Sequence, residues 1–340
     1  MCRNKVGITA EYSRDNMYKP PFTISAKAIN LIAQISAQVE RYAIHLEQSD
    51  SLKLRKVNRI KTIYSSLAIE GNQLSEGDVF AILEGKTVIA PQKEILEVRN
   101  AVKAYDLYPS LNPFSIKDLL KAHHVMMAGL VDECGVFRKK GVGVFDGTQA
   151  VHIAPPADRV TDLMNDLLFW LENSDDHLLI RSCVFHYEFE FIHPFADGNG
   201  RIGRLWHSLI LGKLNPLFEH LPVENMVHAD QQAYYDAISK SSALGECGPF
   251  IEFMLQEILN ALQDRKSYSA HEFTAEYSLG LNEMKVLQLL RGDRSLSAQK
   301  ISTMIGITPR QVERILATLK ERSLIIRVGA NRNGYWEVKC

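Results

Sequence analysis

Apolar residues recur at helical spacing along most of this chain. Residues 1–23 lack the pattern and read as an irregular arm ending at Pro20-Pro21. From Thr23 onward, Ala28, Leu31, Ile32, Ile35 and Val39 mark one face of a helix. A second helix is predicted over 52–70, with Leu54, Val57, Ile60, Ile63 and Tyr64 turned inward. It stops at Gly71-Asn72. Ser75 to Leu83, Glu94 to Tyr105 and 115–134 continue the helical period. Then the pattern changes. Val142–Ile153 alternates like a strand pair, Asp146-Gly147 is a hairpin signal, and Pro155-Pro156 closes the segment. Helical spacing returns over 158–173, 177–190, Arg201 to Leu211 and Ala229 to Leu262, with an interruption at Gly245–Pro249.

These patterns predict a mostly α-helical protein with a small β-hairpin. The predicted divisions are an N-terminal helical region over 1–100 and a central domain over 101–262. A polar linker over 263–280 and a separate unit over 281–340 follow.

Within the last unit, Ser297 to Gly306 reads as a capped helix and a glycine turn. Thr308-Pro309 starts another helix, with Thr as the cap and Pro at the first helical position. Val312, Ile315, Leu316 and Leu319 form its inner face and leave Arg310, Gln311, Arg314 and Thr318 outside. Leu324–Val328 and Tyr335–Val338 read as two strands. Helix-turn-helix followed by a hairpin is similar to a winged helix.

Composition adds limits. Hydrophobic residues make up 46% and charged residues 23%, enough for a sizeable core. The net charge of −1 gives no global attraction to nucleic acid or anionic lipid. Residues 281–340, however, hold 11 Lys and Arg against 5 Asp and Glu, a local net of +6 that suits a DNA backbone footprint. Cys2, Cys134, Cys183, Cys247 and Cys340 are scattered and form no CxxC pair, which argues against a zinc site or disulfide framework. With no signal-like or membrane-length apolar run, the expected location is cytoplasmic.

The chemistry concentrates at His193-Pro-Phe-Ala-Asp-Gly-Asn-Gly-Arg-Ile-Gly-Arg204. Gly198-Asn199-Gly200 precedes an amphipathic helix, where backbone N–H groups and the helix dipole favour an anion. Arg201 and Arg204, three apart, share a helix face and suit a polyphosphate. Asp197 beside them is a candidate Mg²⁺ ligand, and His193 a candidate base toward an attacking hydroxyl. Together they predict a phosphoryl- or nucleotidyl-transfer site.

The stretch resembles the Fic family signature HxFx(D/E)GNGRxxR and matches all eight fixed positions. Phe189–Ile192, the helix carrying His186, and Gly135–Arg138 with the hairpin after it are also similar to that family. The resemblance implies the helical Fic fold and a protein adenylyltransferase: ATP and Mg²⁺ as reactants, and AMP moved to a Ser, Thr or Tyr hydroxyl of a target protein or of the enzyme itself. It implies His193 as general base and Asp197 as the metal ligand. It places Gly198, Asn199, Gly200, Ile202 and Gly203 along the ATP phosphates, Arg201 on the β-phosphate and Arg204 on the γ-phosphate. Phe195 becomes a core anchor, Tyr234 or Tyr235 borders the adenine, and Val142, Gly143, Val144 and Phe145 form a flap that docks the target as a strand.

Ser66-Leu-Ala-Ile-Glu70-Gly71 is similar to the family's inhibitory motif, (S/T)xxxE(G/N). By that resemblance Glu70 pairs with Arg204 and keeps it from the γ-phosphate, so the resting enzyme is self-inhibited. Misplacement of reacting atoms by about 1 Å costs on the order of 100-fold.

Competing readings are weaker. Gly198, Gly200 and Gly203 also fit GxGxxG, but His193-Pro194 interrupts the strand that a dinucleotide site requires. His123, His124, His186 and His207 match no metal spacing and are assigned to packing or capping. Glu97 and Asn100 resemble family positions without an evident chemical role. Alternative functions are transfer or removal of another group (UMP, phosphocholine, AMP hydrolysis) and a DNA-binding regulator with a sensor core. Homodimerisation is a further expectation.

Overall fold

The computed structural model describes residues 18–48, 51–141, 143–146, 149–263, 281–321, 324–329 and 334–338. Val142, Gly147, most of the N-terminal arm and residues 264–280 of the expected linker lie outside them. The chain divides into two compact units, one drawn from Met1–His45 and Asn58–Gln263, the other from Leu46–Val57 and Asp264–Cys340. Among the described residues no helix is long and apolar enough to cross a membrane.

The helices of the amino-terminal half are α1 (Ala26–Gln48), α2 (Ser51–Ile69), α3 (Glu76–Leu83), α4 (Gln92–Asp106) and α5 (Ile116–Met127). Gly71 stops α2 with a left-handed φ of 87°. Ser75 caps α3 in a reciprocal capping box with Asp78. The expected helix over 115–134 ends early. After α5 the chain turns at Gly129, with φ 73°, and runs irregularly to Arg138.

The hairpin follows as β1 (Gly143–Asp146) antiparallel to β2 (Gln149–Ile153), with a register irregularity between Val144 and Phe145. Then come α6 (Val160–Asn173), α7 (Leu178–Ile192), α8 (Asn199–Leu214), α9 (Val223–Ala229), α10 (Gln231–Leu244) and α11 (Gly248–Gln263). The predicted break at 245–249 falls between the last two, with Gly245 left-handed. The short α9 has no separate signal in the sequence.

Helix α7 is buried nearly all round, through Leu179, Ile180, Cys183, Val184, Phe185 and Phe189. A helix that is apolar on every face belongs in a core. It packs on α8, whose Ile202, Leu205, Trp206, Leu209 and Ile210 are also buried. Each such side chain contributes about 1.5–3 kcal/mol on burial. The indole of Trp206 donates to the carbonyl of Pro113 at 2.9 Å, so this wide side chain leaves no unmet donor. These contacts fix the α7–α8 connection, residues 193–198, as a rigid corner.

The second unit contains α12 (Leu281–Gly292), α13 (Ala298–Ile305), α14 (Pro309–Glu321) and an antiparallel pair, β3 (Ile325–Val328) with β4 (Tyr335–Val338). Its own core joins Val286, Leu287, Leu290, Ile301, Val312, Leu319 and Ile325. The Thr308 hydroxyl accepts from Gln311 N–H at 3.3 Å, while the Gln311 side chain accepts from Thr308 N–H at 2.9 Å. This closes the first turn of α14.

Candidate active site

His193 terminates α7 in a left-handed conformation (φ 49°, ψ 62°), the one positive φ outside glycine among the described residues. Such a backbone is costly for an L-residue and persists only where its surroundings impose it. Here Arg138 imposes it. Its buried guanidinium donates to the carbonyls of His193 (2.7 Å), Ile192 (3.2 Å), Pro155 (2.6 Å) and Lys140 (2.9 Å). Its N–H donates to Pro194 at 2.9 Å. These bonds satisfy the carbonyls at the end of α7 and hold the imidazole at its mouth. The Nδ1 of His193 lies 3.3 Å from the Glu190 carbonyl. With Nδ1 protonated against that acceptor, Nε2 is the basic nitrogen.

The corner is locked from beneath. Phe195 is fully buried and stacks on His123, with ring centroids 3.7 Å apart and planes 6° from parallel. Asn199 accepts from Phe195 N–H at 2.8 Å and donates to its carbonyl at 2.9 Å. His123 accepts from Gly135 N–H at 2.8 Å and donates through Nε2 to the Asp197 carbonyl at 3.0 Å. Burial pushes its pKa down to about 4, so it is the neutral ring that this pattern requires. His123 thus serves packing and orientation, as the spacing argument expects.

At the start of α8, Gly198 has φ 84° and no side chain to cap the helix. The first backbone-to-backbone bond into it is Ile202 N–H to Gly198 O, at 3.1 Å. The earlier N–H groups, of Asn199, Gly200 and Arg201, form the end that favours an anion. Asp197 flanks this end with its carboxylate half-exposed; Oδ1 accepts from Gly198 N–H at 2.6 Å and from Arg201 Nη2 at 3.2 Å.

Both arginines are nearly buried. Arg201 lies between Asp197 and Glu97, its Nη1 3.6 Å from the Glu97 carboxylate. Arg204 meets the end of α2. Its Nε donates to Ser66 Oγ at 3.1 Å, and Nη2 donates to Ser66 O at 2.8 Å and to Glu70 Oε1 at 2.7 Å. Ser66 and Glu70 are four apart and so share a helix face. Burial opposes the charge on Arg204, but Glu70, Tyr234 and Glu190 outweigh it and hold the guanidinium ionised. The Glu70 carboxylate also lies against Gly200, occupying the space a Cβ there would need.

Under this pair lies a buried polar layer. Burial pushes Glu190 up to about 7, with Arg204 pulling the other way and Glu70 adding to the rise. Burial likewise raises Glu224, which accepts from the Ser208 hydroxyl at 2.9 Å, to about 7. His207 is pushed down to about 3 by burial alone. His186 Nε2 pairs with the Tyr234 hydroxyl at 3.0 Å. Among the described residues no three His, Cys, Asp or Glu side chains gather as a metal cluster.

Not every expected residue reaches the anion end. The side chain of Ile202 is fully buried and its N–H is spent on Gly198, so it offers a phosphate nothing. Gly203 faces α7, where a Cβ would meet Glu190 Oε1 at 2.6 Å; its role is close helix packing. The Asn199 side chain closes the corner and leaves only its backbone N–H for an anion. Tyr234 is buried among aromatic rings while Tyr235 is 44% exposed. Gln231 lies 3.4 Å from the Tyr235 hydroxyl and donates to Ile69 O at 3.2 Å, which places Tyr235 beside the end of α2. In the flap, Gly143, Val144 and Phe145 form β1, and Val142 lies outside the described residues. The sequence reading gave no role to Glu97 and missed the roles of Arg138 and Glu190. Glu190 carries a usable signal, standing one helical turn before His193.

Comparison with known proteins identifies the family. Residues 113–211 match the model of the Fic/DOC family. A crystal structure of a Fic family protein from Desulfovibrio desulfuricans is 40% identical, with a TM-score of 0.70, covering 95% of this chain and 98% of that one. The chain belongs to the Fic family. Fic relatives with curated names include protein adenylyltransferase fic-1 of Caenorhabditis elegans, 31% identical over 234 residues, and protein adenylyltransferase Fic of Nematostella vectensis, 30% identical over 205. The matches cover 64% and 56% of this chain, but only 44% and 45% of those proteins. The chain thus spans less than half the length of these Fic relatives. A Fic-1 structure from Caenorhabditis elegans shares the fold at 22% identity and a TM-score of 0.56, over 73% of this chain and 74% of that one.

Proposed function

We propose that this protein transfers AMP from ATP to a protein hydroxyl and is restrained by Glu70. The observation that carries this reading is the convergence of His193, Asp197, the open start of α8 and both arginines on one corner. In the reaction, Nε2 of His193 takes the hydroxyl proton as the oxygen attacks the α-phosphorus. The Pα–O–Pβ bond breaks and pyrophosphate leaves. The N–H groups of Asn199, Gly200 and Arg201 hold phosphate oxygens, and the arginines balance charge on the leaving group. The half-exposed Asp197 carboxylate beside this anion end fits Mg²⁺, which needs one or two carboxylates plus substrate phosphates. When bound, Mg²⁺ supplies neutralising charge to those phosphates. The adenine is assigned to the side of Tyr235, and the β1–β2 hairpin to pairing with an extended target segment.

Glu70 supports the restraint. It engages Arg204 and its carboxylate crowds Gly200, so it excludes a terminal phosphate by charge and by volume. Intact mass spectrometry after incubation with Mg-ATP tests both claims. Glu70→Gly should gain one AMP mass, wild type less, and Glu70→Gly/His193→Ala none. Equal labelling of wild type and Glu70→Gly would remove the restraint; labelling of the double variant would remove the base.

We further infer that α13 and α14 form a winged helix-turn-helix with a DNA-binding face. On α14, Arg310, Gln311 and Arg314 are exposed opposite the buried Val312, Ile315 and Leu319. Full-length protein should bind duplex DNA with strong salt dependence, weakened by Arg310→Ala/Arg314→Ala. No binding at low salt would sink this assignment.

A further inference from the structure

Glu97 and Asn72 lie outside the motifs and yet meet the phosphate clamp. Glu97 sits on α4 and is largely buried, with its two carboxylate oxygens divided between two partners. Oε1 lies 3.6 Å from Arg201 Nη1, and Oε2 accepts from Asn72 Nδ2 at 2.7 Å. Asn72 is two residues beyond Glu70. Its side chain also donates to Glu94 O at 3.3 Å and accepts from Leu74 N–H at 3.0 Å, while Gln73 N–H donates to Glu94 Oε2 at 3.1 Å. The turn that follows the inhibitory glutamate is therefore fastened to the first turns of α4.

Arg201 depends on this arrangement. It is 5% exposed, and its guanidinium is held between Glu97 on one side and Asp197 on the other. Its Nε has no partner among the described residues. A guanidinium carries five N–H donors in a planar fork, so two carboxylates leave donors for a phosphate. Glu97 differs here from Glu70, which presses on Gly200 and takes the place of a ligand.

We propose that Glu97 is a positioning residue for the nucleotide. It fixes the plane of Arg201 for a phosphate, and Asn72 fixes Glu97, so the turn after Glu70 and the phosphate clamp share one joint. The proposal rests on the ATP reading of the site. Partners that orient a binding group are worth roughly 10–100-fold, and the 3.6 Å separation places Glu97 at the lower end.

The test uses the full chain in the Glu70→Gly background, with Mg-ATP affinity from titration calorimetry and KM and kcat from self-modification. Glu97→Ala should weaken Mg-ATP affinity and raise KM about tenfold while kcat stays within about twofold. Glu97→Gln keeps an oxygen for Asn72 but loses the charge facing Arg201. It should restore the melting temperature and leave the affinity weak. Asn72→Ala, with Glu97 intact, should lower affinity severalfold. Unchanged affinity in Glu97→Ala, or full recovery of affinity in Glu97→Gln, would overturn the proposal. If Glu70→Gly itself bound no Mg-ATP, the nucleotide reading would fall and this inference with it. If that variant bound Mg-ATP without transferring AMP, the transferase reading would fall, and a tenfold affinity loss in Glu97→Ala would still support Glu97.

Discussion

The Glu70 carboxylate lies against the α-carbon of Gly200, in the volume that a methyl group there would fill. Glycine is needed at this point of α8 for close approach and not for an unusual φ. What approaches is the end of α2 now, and a phosphate in the proposed reaction.

Gly200→Ala should displace Glu70, whose exposed and flexible end can yield. The variant gains helix propensity of about 1 kcal/mol but breaks the Arg204 pair. In the Glu70→Gly background the carboxylate collision is gone, and only the contact with Arg204 Nη1 at 2.9 Å still opposes the gain. Thermal unfolding of the two single variants and the double variant should show a non-additivity of roughly 1 kcal/mol or more. Additive effects would contradict the contact.

Arg204→Ala should cost far more than Glu70→Ala. Losing the guanidinium strands Glu190 and Glu224 in the buried layer, at about 3–5 kcal/mol. That corresponds to a melting temperature lower by roughly 10 °C for a unit of this size. Glu70 is 31% exposed, and Ser66 still binds the arginine when it is removed, so its loss should cost about 1 kcal/mol. Similar melting temperatures for both variants would argue against the buried layer.

Stability should fall as pH rises from about 4.5 toward 7. Burial holds Glu190, Glu224 and Glu188 near 7 in the fold, against 4.5 when exposed. The folded state therefore binds more protons across this window, and each deprotonation near neutrality favours unfolding. Glu190 is faced by His193 on its own helix, Arg204 on α8, Glu70 after α2 and Tyr234 on α10. Glu190→Gln should flatten the decline and stabilise the protein at pH 8 by about 1–3 kcal/mol. An unchanged pH profile of the melting temperature would refute the assignment.

Arg138→Lys tests how His193 is held. Lysine keeps the charge but cannot reach four carbonyls in a planar fork. The melting temperature should drop, and the proposed transfer should slow by tenfold or more as His193 leaves its left-handed conformation. A full rate with lysine would show that the guanidinium is dispensable.

Much of the helical layout was legible because buried faces impose a 3.6-residue period. Gly71, Ser75, Gly245 and Thr308 mark boundaries through capping chemistry that short-range sequence carries. The end of α5 was not legible, because its apolar spacing continues past Met127 while the backbone turns. The contiguous stretch 193–204 was readable as chemistry, but its division of labour was not. Ile202 and Gly203 belong to packing, a fact that depends on α7 passing beside them. Arg138, Glu97 and Glu190 act through folded geometry: one binds carbonyls far along the chain, one bridges helices, and one is buried by a neighbouring helix.

Arg204 grips the Glu70 carboxylate, and in the proposed reaction it would have to release it for a terminal phosphate, because a single guanidinium edge does not serve both. Under the proposed function restraint and substrate would compete for one handle, and the strength of the lock would enter directly into the apparent appetite for nucleotide. If about one molecule in a hundred has Arg204 unlatched, half-saturation needs roughly a hundred times the intrinsic dissociation constant. Anything that loosens the end of α2 would then, on this proposal, sensitise the protein to the nucleotide pool before it altered the speed of the chemical step.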